Sequence, residues 1–365
     1  MKLLYIANGI NGSGGLERVL ALKSSYLADK FNYKVHILTL NKSYQNPFYR
    51  FSSNIKFHDI QVNGNYLNYF LSYKNGIKRV LDLIKPDVIS VCDDGLKGLL
   101  FPVLFGKKIP VIYERHVSNQ IEIKKDKLSF LDNIKSNLKF NLMKFGGRKF
   151  DKFVVITKGN LKEWESNNLV VIPNPLPFIS SEKALLKNKK VLVVGKQSFQ
   201  KGYDRLLKIW KIVIENHPNW HLEVYGKLNF DLELEKKADD MDLSSAITFF
   251  PPTKNIQEKY IESSIYLMPS RFEGFGMVLI EAMSFGVPCI SFDCPNGPAD
   301  IINDSEDGYL IKNGDIEGFA KAILQLIENQ EQRNFMGEKA KLNVQRFSPE
   351  RIVPLWDELF KSLLV

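Results

Sequence analysis

The chain has 365 residues, with 50 Lys and Arg against 41 Asp and Glu and a formal net charge of +9. That length exceeds one ordinary core and predicts two domains, while 44% hydrophobic and 25% charged residues are the proportions of a folded, soluble chain. No apolar run approaches the roughly 20 residues that span a bilayer, and the opening Leu3 to Ala7 is too short for a signal-peptide core. Three cysteines, Cys92, Cys289 and Cys294, without close spacing predict a reducing, cytoplasmic setting rather than a disulfide frame or a zinc site. The positive balance predicts an anionic partner: a phosphorylated ligand, an acidic membrane or nucleic acid.

In chain order, apolar runs predict strands at Leu3–Ala7, Val35–Leu40, Ile55–Ile60, Val88–Val91, Val111–Glu114, Phe153–Thr157 and Val170–Ile172. Between the first two, NGINGSGGLERVL is a glycine-rich loop running into a helix from Leu16 to about Lys30, a βαβ opening. The passage Pro173-Asn174-Pro175-Leu176-Pro177 and the polar stretch after it predict a linker. The pattern then restarts, with strands at Lys190–Gly195, His221–Tyr225, Ile247–Phe250, Ile265–Met268, Cys289–Phe292 and Tyr309–Ile311 and a helix from about Tyr203 to Glu215. The expected fold is α/β: two tandem Rossmann-like, doubly wound domains at 1–177 and 178–348. A closing helix at 349–365, with Trp356, Leu359, Phe360 and Leu363 as its docking face, is expected to return to the first domain.

Two stretches carry chemistry. Ser264 to Phe292 reads as strand, loop, helix and strand: Pro269 stops the first strand, the loop holds Glu273-Gly274-Phe275-Gly276, and a helix from Met277 carries Val278 and Glu281 before Gly286 and Pro288 end it. The free N–H groups at the start of that helix suit a phosphate, and carboxylates on either side suit a ligand with hydroxyl-bearing rings at both ends. An E-x(7)-E spacing alone is weak; the elements around it make it specific. The second stretch, Gly195 to Gly202, sets Lys196 and Lys201 on a loop after the first strand of the second domain, where a nucleotide-binding sheet places its anion site.

With these stretches, together with GGLERVL, VVITKGN, IPNP, GKQSFQKGYDRLLKIW and PNWHLEVYG, the sequence resembles, nearly end to end, the EX7E family of retaining glycosyltransferases of GT-B architecture, glycosyltransferase family 4. The resemblance implies that a nucleotide-sugar lies in a cleft between two domains, the acceptor on the N-terminal side and the donor on the C-terminal side. It implies that Glu281 grips the ribose, Glu273 a donor-sugar hydroxyl, and Lys201 and Lys196 the diphosphate. Lys196 stands where the family usually has arginine, so a point charge replaces a bidentate fork. Gly14-Gly15 match the loop near the donor phosphates, and His116 matches a sugar-contacting position. The catalytic set implied is Glu273, Lys201 and His116. The donor-binding set adds Gly14, Gly15, Lys196, Gly274, Phe275, Gly276, Met277, Val278 and Glu281.

No cofactor or metal is expected, because lysines and helix N–H groups stabilise the leaving diphosphate. Asp240 and Asp242 form an Asp-x-Asp read as a solvated turn, whereas Asp93-Asp94 follow a strand and are candidates for the acceptor cleft. FDCPNGPADII resembles bacterial members that use hexosamines. Residues 121–152 hold nine Lys and Arg against four Asp and Glu, with Leu131, Ile134, Leu138, Leu142 and Phe145 at helical spacing. The stretch reads either as an ordinary helix packed on the core or as a basic amphipathic helix touching anionic lipid. The expected activity is transfer of a hexose or N-acetylhexosamine from a UDP-linked donor to a lipid-linked bacterial surface glycan such as lipopolysaccharide or capsule. The enzyme would be cytoplasmic or peripheral on the inner membrane face, without nucleic acid. The alternatives are an NAD(P)-dependent oxidoreductase, which would need G-x-G-x-x-G and an acidic residue after the second strand, and a non-enzymatic two-lobed binding protein.

Overall fold

The computed structural model describes residues 1–93, 95–106, 108–119, 130–178 and 180–364, apart from the side chains of 130–133. Its first elements are β1 (Lys2–Ile6), α1 (Gly15–Lys30), β2 (Lys34–Leu40), β3 (Lys56–Ile60), α2 (Tyr66–Ile84), β4 (Val88–Val91), α3 (Leu96–Leu99), α4 (Phe101–Phe105), β5 (Val111–Arg115), α5 (Phe130–Gly147), β6 (Lys152–Val155), α6 (Lys158–Leu161) and β7 (Leu169–Val171). There follow β8 (Lys190–Val194), α7 (Tyr203–Asn216), β9 (His221–Tyr225), α8 (Leu234–Asp239), β10 (Ile247–Phe250), α9 (Ile256–Glu262), β11 (Ile265–Met268), α10 (Met277–Ser284), β12 (Cys289–Asp293), α11 (Pro298–Ile301), β13 (Gly308–Lys312), α12 (Ile316–Glu328), α13 (Gln330–Asn343) and α14 (Pro349–Ser362). They form two compact units, Met1–Pro177 with Pro349–Val365, and Phe178–Ser348.

The first unit is built on a seven-stranded sheet in the order β3-β2-β1-β4-β5-β6-β7, parallel throughout. Side chains alternate across it. Leu3 and Tyr5 face a core made with Leu20 and Leu27 of α1 and Val353, Trp356 and Phe360 of α14. Leu4 and Ile6 face Tyr73 and Ile77 of α2, Phe101 of α4 and Met143 of α5. Both faces are covered over the central strands, which is why β1, β4 and β6 read as largely apolar runs rather than as alternation.

The second unit repeats the plan with six parallel strands in the order β10-β9-β8-β11-β12-β13. Leu279, Ile280, Ala282 and Met283 of α10 are fully buried. Removing Leu279 and Ile280 from water stabilises the unit by about 1.5–3 kcal/mol each, which fixes the helix firmly in the fold. In each sheet the strand order reverses once, between β1 and β4 and between β8 and β11. Crevices at the carboxyl ends of strands form at such switch points.

Candidate active site

The loops that follow β8 and β11 meet at the switch point of the second sheet. Lys201 Nζ donates to Glu273 Oε1 at 2.7 Å, with the side chains 18% and 6% exposed. A second contact zips the loops together: Arg271 donates through both terminal nitrogens to the Asp204 carboxylate at 2.8 and 2.7 Å, and its guanidinium lies 3.9 Å from the Phe199 ring centroid. Hydrogen bonding to Arg271 holds the Asp204 carboxyl below its usual range. Tyr203, the first residue of α7, donates its hydroxyl to Gly195 O at 2.5 Å, and burial, followed by the charge of Glu273, pushes that phenol up.

Glycine is required where these backbones close on one another. Gly202 has φ 68°, and a Cβ there would stand 2.1 Å from Pro269 O. Gly276, with φ 100°, caps α10, so the first free N–H groups of that helix, from Met277 and Val278, follow Glu273 by four and five residues along the chain. The site also holds two hydroxyls, Ser198 Oγ and Ser270 Oγ, buried without a hydrogen-bond partner among the described residues. An unmatched buried hydroxyl is costly, so two of them beside a lysine and a helix N-terminus mark a place for a polar ligand. Lys196 is exposed on the same loop. Beside it, Gln197 lines a hollow of about 170 Å³ with Asn229 and Phe230.

Glu281, five residues into α10, is 2% exposed and accepts from Tyr260 of α9 at 3.1 Å. The tyrosine ring stacks on Phe285 at 5.8 Å. Glu281 therefore stands behind the α10 N-terminus, fixed by a neighbour that motif reading does not name.

The first unit has its own cavity at its switch point, about 420 Å³, lined by Asn8, Asn11, Glu17 and Asp93 among others. The loop after β1 wraps the Glu17 carboxylate so closely that a Cβ on Gly12 or Gly14 would meet it at 2.4 or 2.6 Å. Gly14 is the N-cap of α1 and Gly15 its first residue. Asp93 accepts from Asn8 and from Gly95 N, at 2.8 and 2.9 Å; Asp94 lies outside the described residues.

His116 follows β5. Its Nε2 lies 3.1 Å from Glu114 Oε2, its side chain is 4% exposed, and its Nδ1 is buried with no partner among the described residues. Glu114 also accepts from Lys23 Nζ and Ser90 Oγ. Burial alone would raise that carboxyl, but the charge of Lys23 and the His116 contact outweigh it and hold it at about 2. Lys23 in turn lies 3.6 Å from the Trp356 ring centroid. Glu114 accepts from His116 Nε2 and so fixes the orientation of the ring. Sequence reading picked His116 but missed Glu114, Lys23, Arg271, Asp204 and Tyr260; the only local signal was Glu114 two residues before His116 in YERHVSN.

Asp240 and Asp242 lie just past α8, with the Asp242 side chain 93% exposed. The basic stretch at 121–152 is only partly described: 120–129 and the side chain of Leu131 fall outside. On α5 the stripe residues Ile134, Leu138, Leu142 and Phe145 are exposed, while Met143 is buried in the core and Phe140 packs against it. No helix among the described residues is long and apolar enough to cross a membrane.

Residues 178–343 match the family described as glycosyl transferases group 1, and residues 15–153 match glycosyl transferase 4-like proteins. The amylovoran biosynthesis glycosyltransferase AmsD of Erwinia amylovora is 30% identical over 373 residues, covering 98% of this chain and 99% of that protein. An uncharacterized glycosyltransferase of Haemophilus influenzae is 34% identical over 211 residues, 56% of this chain but only 60% of that protein's length. Among solved structures, TarM of S. aureus, a variant in complex with fondaparinux, alpha-GlcNAc-glycerol and UDP, superposes with a TM-score of 0.78 at 18% identity, covering 99% of this chain and all of that one.

Proposed function

The chain belongs to the group 1 glycosyl transferases with GT-B architecture, and on that premise we propose that it moves a hexose or N-acetylhexosamine from a UDP-linked donor to a growing, lipid-linked bacterial surface glycan, with retention at the anomeric carbon. The observation that carries the reading is the Lys201–Glu273 pair beside the α10 N-terminus, with Ser198 and Ser270 unmatched next to it. A diphosphate entering there takes the Lys201 ammonium, the exposed Lys196 and the N–H groups of Met277 and Val278. Glu273, released from Lys201, accepts from a donor-sugar hydroxyl. Glu281, held by Tyr260, serves the ribose.

As the anomeric C–O bond breaks, negative charge builds on the diphosphate and oxocarbenium character on the sugar. Fixed cations and N–H dipoles stabilise the diphosphate more strongly in the transition state than in the ground state, which is what raises turnover. These groups suffice for charge neutralisation without a divalent ion. His116 and the cavity around Asp93, both in the first unit, are assigned to sugar binding. The complex of TarM with UDP supports the choice of nucleotide, and the likeness to an amylovoran glycosyltransferase supports a surface polysaccharide as product. The exposed, lysine-flanked α5 stripe supports work at the inner face of the cytoplasmic membrane. Family membership does not favour the oxidoreductase or binding-protein alternatives.

The test is a panel of nucleotide-sugars, each incubated with the protein in the presence and absence of EDTA. Slow release of UDP from one UDP-hexose or UDP-N-acetylhexosamine, unaffected by EDTA, is expected. Release only from another nucleotide's sugar overturns the donor assignment. Activity lost to EDTA and restored by Mg²⁺ or Mn²⁺ overturns the metal-free chemistry.

A further inference from the structure

We propose that the cavity at the switch point of the first unit selects its ligand by hydrogen-bond donors, with Glu17 and Asp93 as the residues that read it. It takes the neutral or amine-bearing terminal sugar of an acceptor glycan and turns away one that ends in a uronic acid or a phosphate. That the ligand is an acceptor rests on the proposed function; its chemical class rests on the lining alone.

The lining comes from the loops after β1 and β4, neighbours in the sheet where the strand order reverses. The cavity of about 420 Å³ falls within the roughly 300–1,000 Å³ of small-molecule sites. A glycine-rich loop at such a place ordinarily turns its N–H groups toward a phosphate. Here it is folded around a carboxylate of its own chain. Glu17 lies in the first turn of α1 and is half-buried, and its two oxygens fill the space where a Cβ on Gly12 or Gly14 would stand. Those glycines make room for an acid.

The second carboxylate, Asp93, is 3% exposed. Its Oδ1 accepts from Asn8 and from Gly95 N, and Tyr113 donates to its backbone carbonyl at 2.9 Å, so the side chain is held in one orientation. Its Oδ2 is buried without a hydrogen bond among the described residues, with Lys97 Nζ 3.3 Å away. That lysine is already engaged: it donates to Asn8 Oδ1 at 2.7 Å and to the Tyr69 hydroxyl at 3.3 Å, and it lies 4.8 Å from the Tyr73 ring centroid. A buried carboxylate oxygen with spare acceptor capacity calls for a donor from the ligand.

Charge decides which donor. Glu17 and Asp93 against Lys97 leave the lining negative in a chain whose net charge is +9. An anionic group entering the cavity meets two acids and a cation that is already bonded, which is how a site rejects a wrong ligand. A sugar ring brings several O–H donors and no charge, and carboxylates accept from them in charge-assisted bonds. Asn11, also in the lining, offers both a donor and an acceptor to a neighbouring hydroxyl. An ammonium gains Coulomb attraction as well. The same balance keeps a nucleotide diphosphate out of this cavity.

The experiment is ligand-observed NMR of the full chain with probes that differ in charge: methyl glucoside and methyl galactoside, glucosamine, methyl glucuronide and glycerol phosphate. The wild type is expected to bind at least one neutral hexoside and glucosamine, and neither of the acidic probes. Glu17→Gln keeps the shape and an acceptor oxygen but removes the charge. It should weaken glucosamine about tenfold and the hexoside less, and it should admit the glucuronide. Asp93→Asn should act in the same direction, with unfolding temperatures confirming that both variants are folded; should it misfold, Glu17→Gln, on a half-buried side chain, carries the test. Binding of an acidic probe by the wild type, binding of no probe, or an unchanged pattern in Glu17→Gln each overturns the proposal. If the probes behave as stated but no nucleotide-sugar is ever hydrolysed, the selectivity of the cavity stands and the proposed function falls. If UDP is released from a UDP-sugar but the wild type binds the glucuronide, the reverse holds.

Discussion

Lys201 and Glu273 satisfy each other at 2.7 Å in a site where both are largely withdrawn from water. A diphosphate has to compete with Glu273 for the lysine, and the same exchange frees the carboxylate for a sugar hydroxyl. Glu273→Gln should therefore bind UDP more tightly, by several-fold in calorimetry, while turnover falls. Lys201→Ala should lose about 10²–10³ in turnover, the scale for one preorganised stabiliser of developing charge. Lys196→Ala should cost less, and Lys196→Arg should be neutral or better because a guanidinium meets two phosphate oxygens at once. Near-normal turnover in Lys201→Ala would remove this loop from the leaving-group site.

For Glu281 the expected outcome is weaker UDP binding on Glu281→Gln, since charge-assisted contacts become neutral ones. Tyr260→Phe removes the hydrogen bond that fixes the carboxylate and should weaken UDP binding by a smaller factor. Unchanged affinity in both variants would place the ribose elsewhere.

The buried Lys23–Glu114 pair makes a statement about stability and pH. Lys23→Met leaves an uncompensated carboxylate in the core and should cost about 3–5 kcal/mol in denaturant unfolding. Lys23→Met with Glu114→Gln should recover much of that loss. Because the folded value of Glu114, about 2, lies below the ordinary 4.5, the unfolded chain takes up the proton at higher pH than the native chain does. The contribution is present in full above about pH 5 and is lost as pH falls through about 2. Acid unfolding of wild type and double variant should diverge in that window and run parallel above it.

Gly202→Ala forces a Cβ into a left-handed position against the Pro269 carbonyl. The strain, about 1–3 kcal/mol, has to be relieved by moving the Lys201 loop away from Glu273. Thermal unfolding should shift down, and turnover should fall by more than the lost stability explains.

Strands such as β1, β6, β8 and β11 were legible because both faces of their sheets are covered, so each reads as a near-continuous apolar run. The helix α2 was not read from the sequence. Its buried Tyr73, Ile77, Val80 and Ile84 keep a helical spacing, but the exposed Leu67, Leu71 and Leu83 fall off that stripe and blur its edges. At the site, Glu273, Glu281 and Lys201 stood out through loop and helix signals on either side of them. That Lys201 meets Glu273, or that Lys23 meets Glu114, was not legible: the partners are 72 and 91 positions apart, and only the parallel topology brings them together. His116 read alone was a loop histidine; Glu114, which fixes it, passed for the last residue of a strand.

The helix α14 closes the first unit, yet it is encoded after the whole of 178–348. A ribosome making this chain delivers β1 to β7 with one face of their sheet lacking Val353, Trp356 and Phe360, and Lys23 without its indole cover. Every residue of the second unit emerges before that face can be sealed, so the usual order in which N-terminal domains mature first is reversed here. The nascent first half carries an open apolar wall for about half of elongation, a natural landing place for a chaperone. The His116–Glu114–Lys23–Trp356 chain of contacts is complete only once α14 has been made, so the first unit waits on a helix encoded beyond the second.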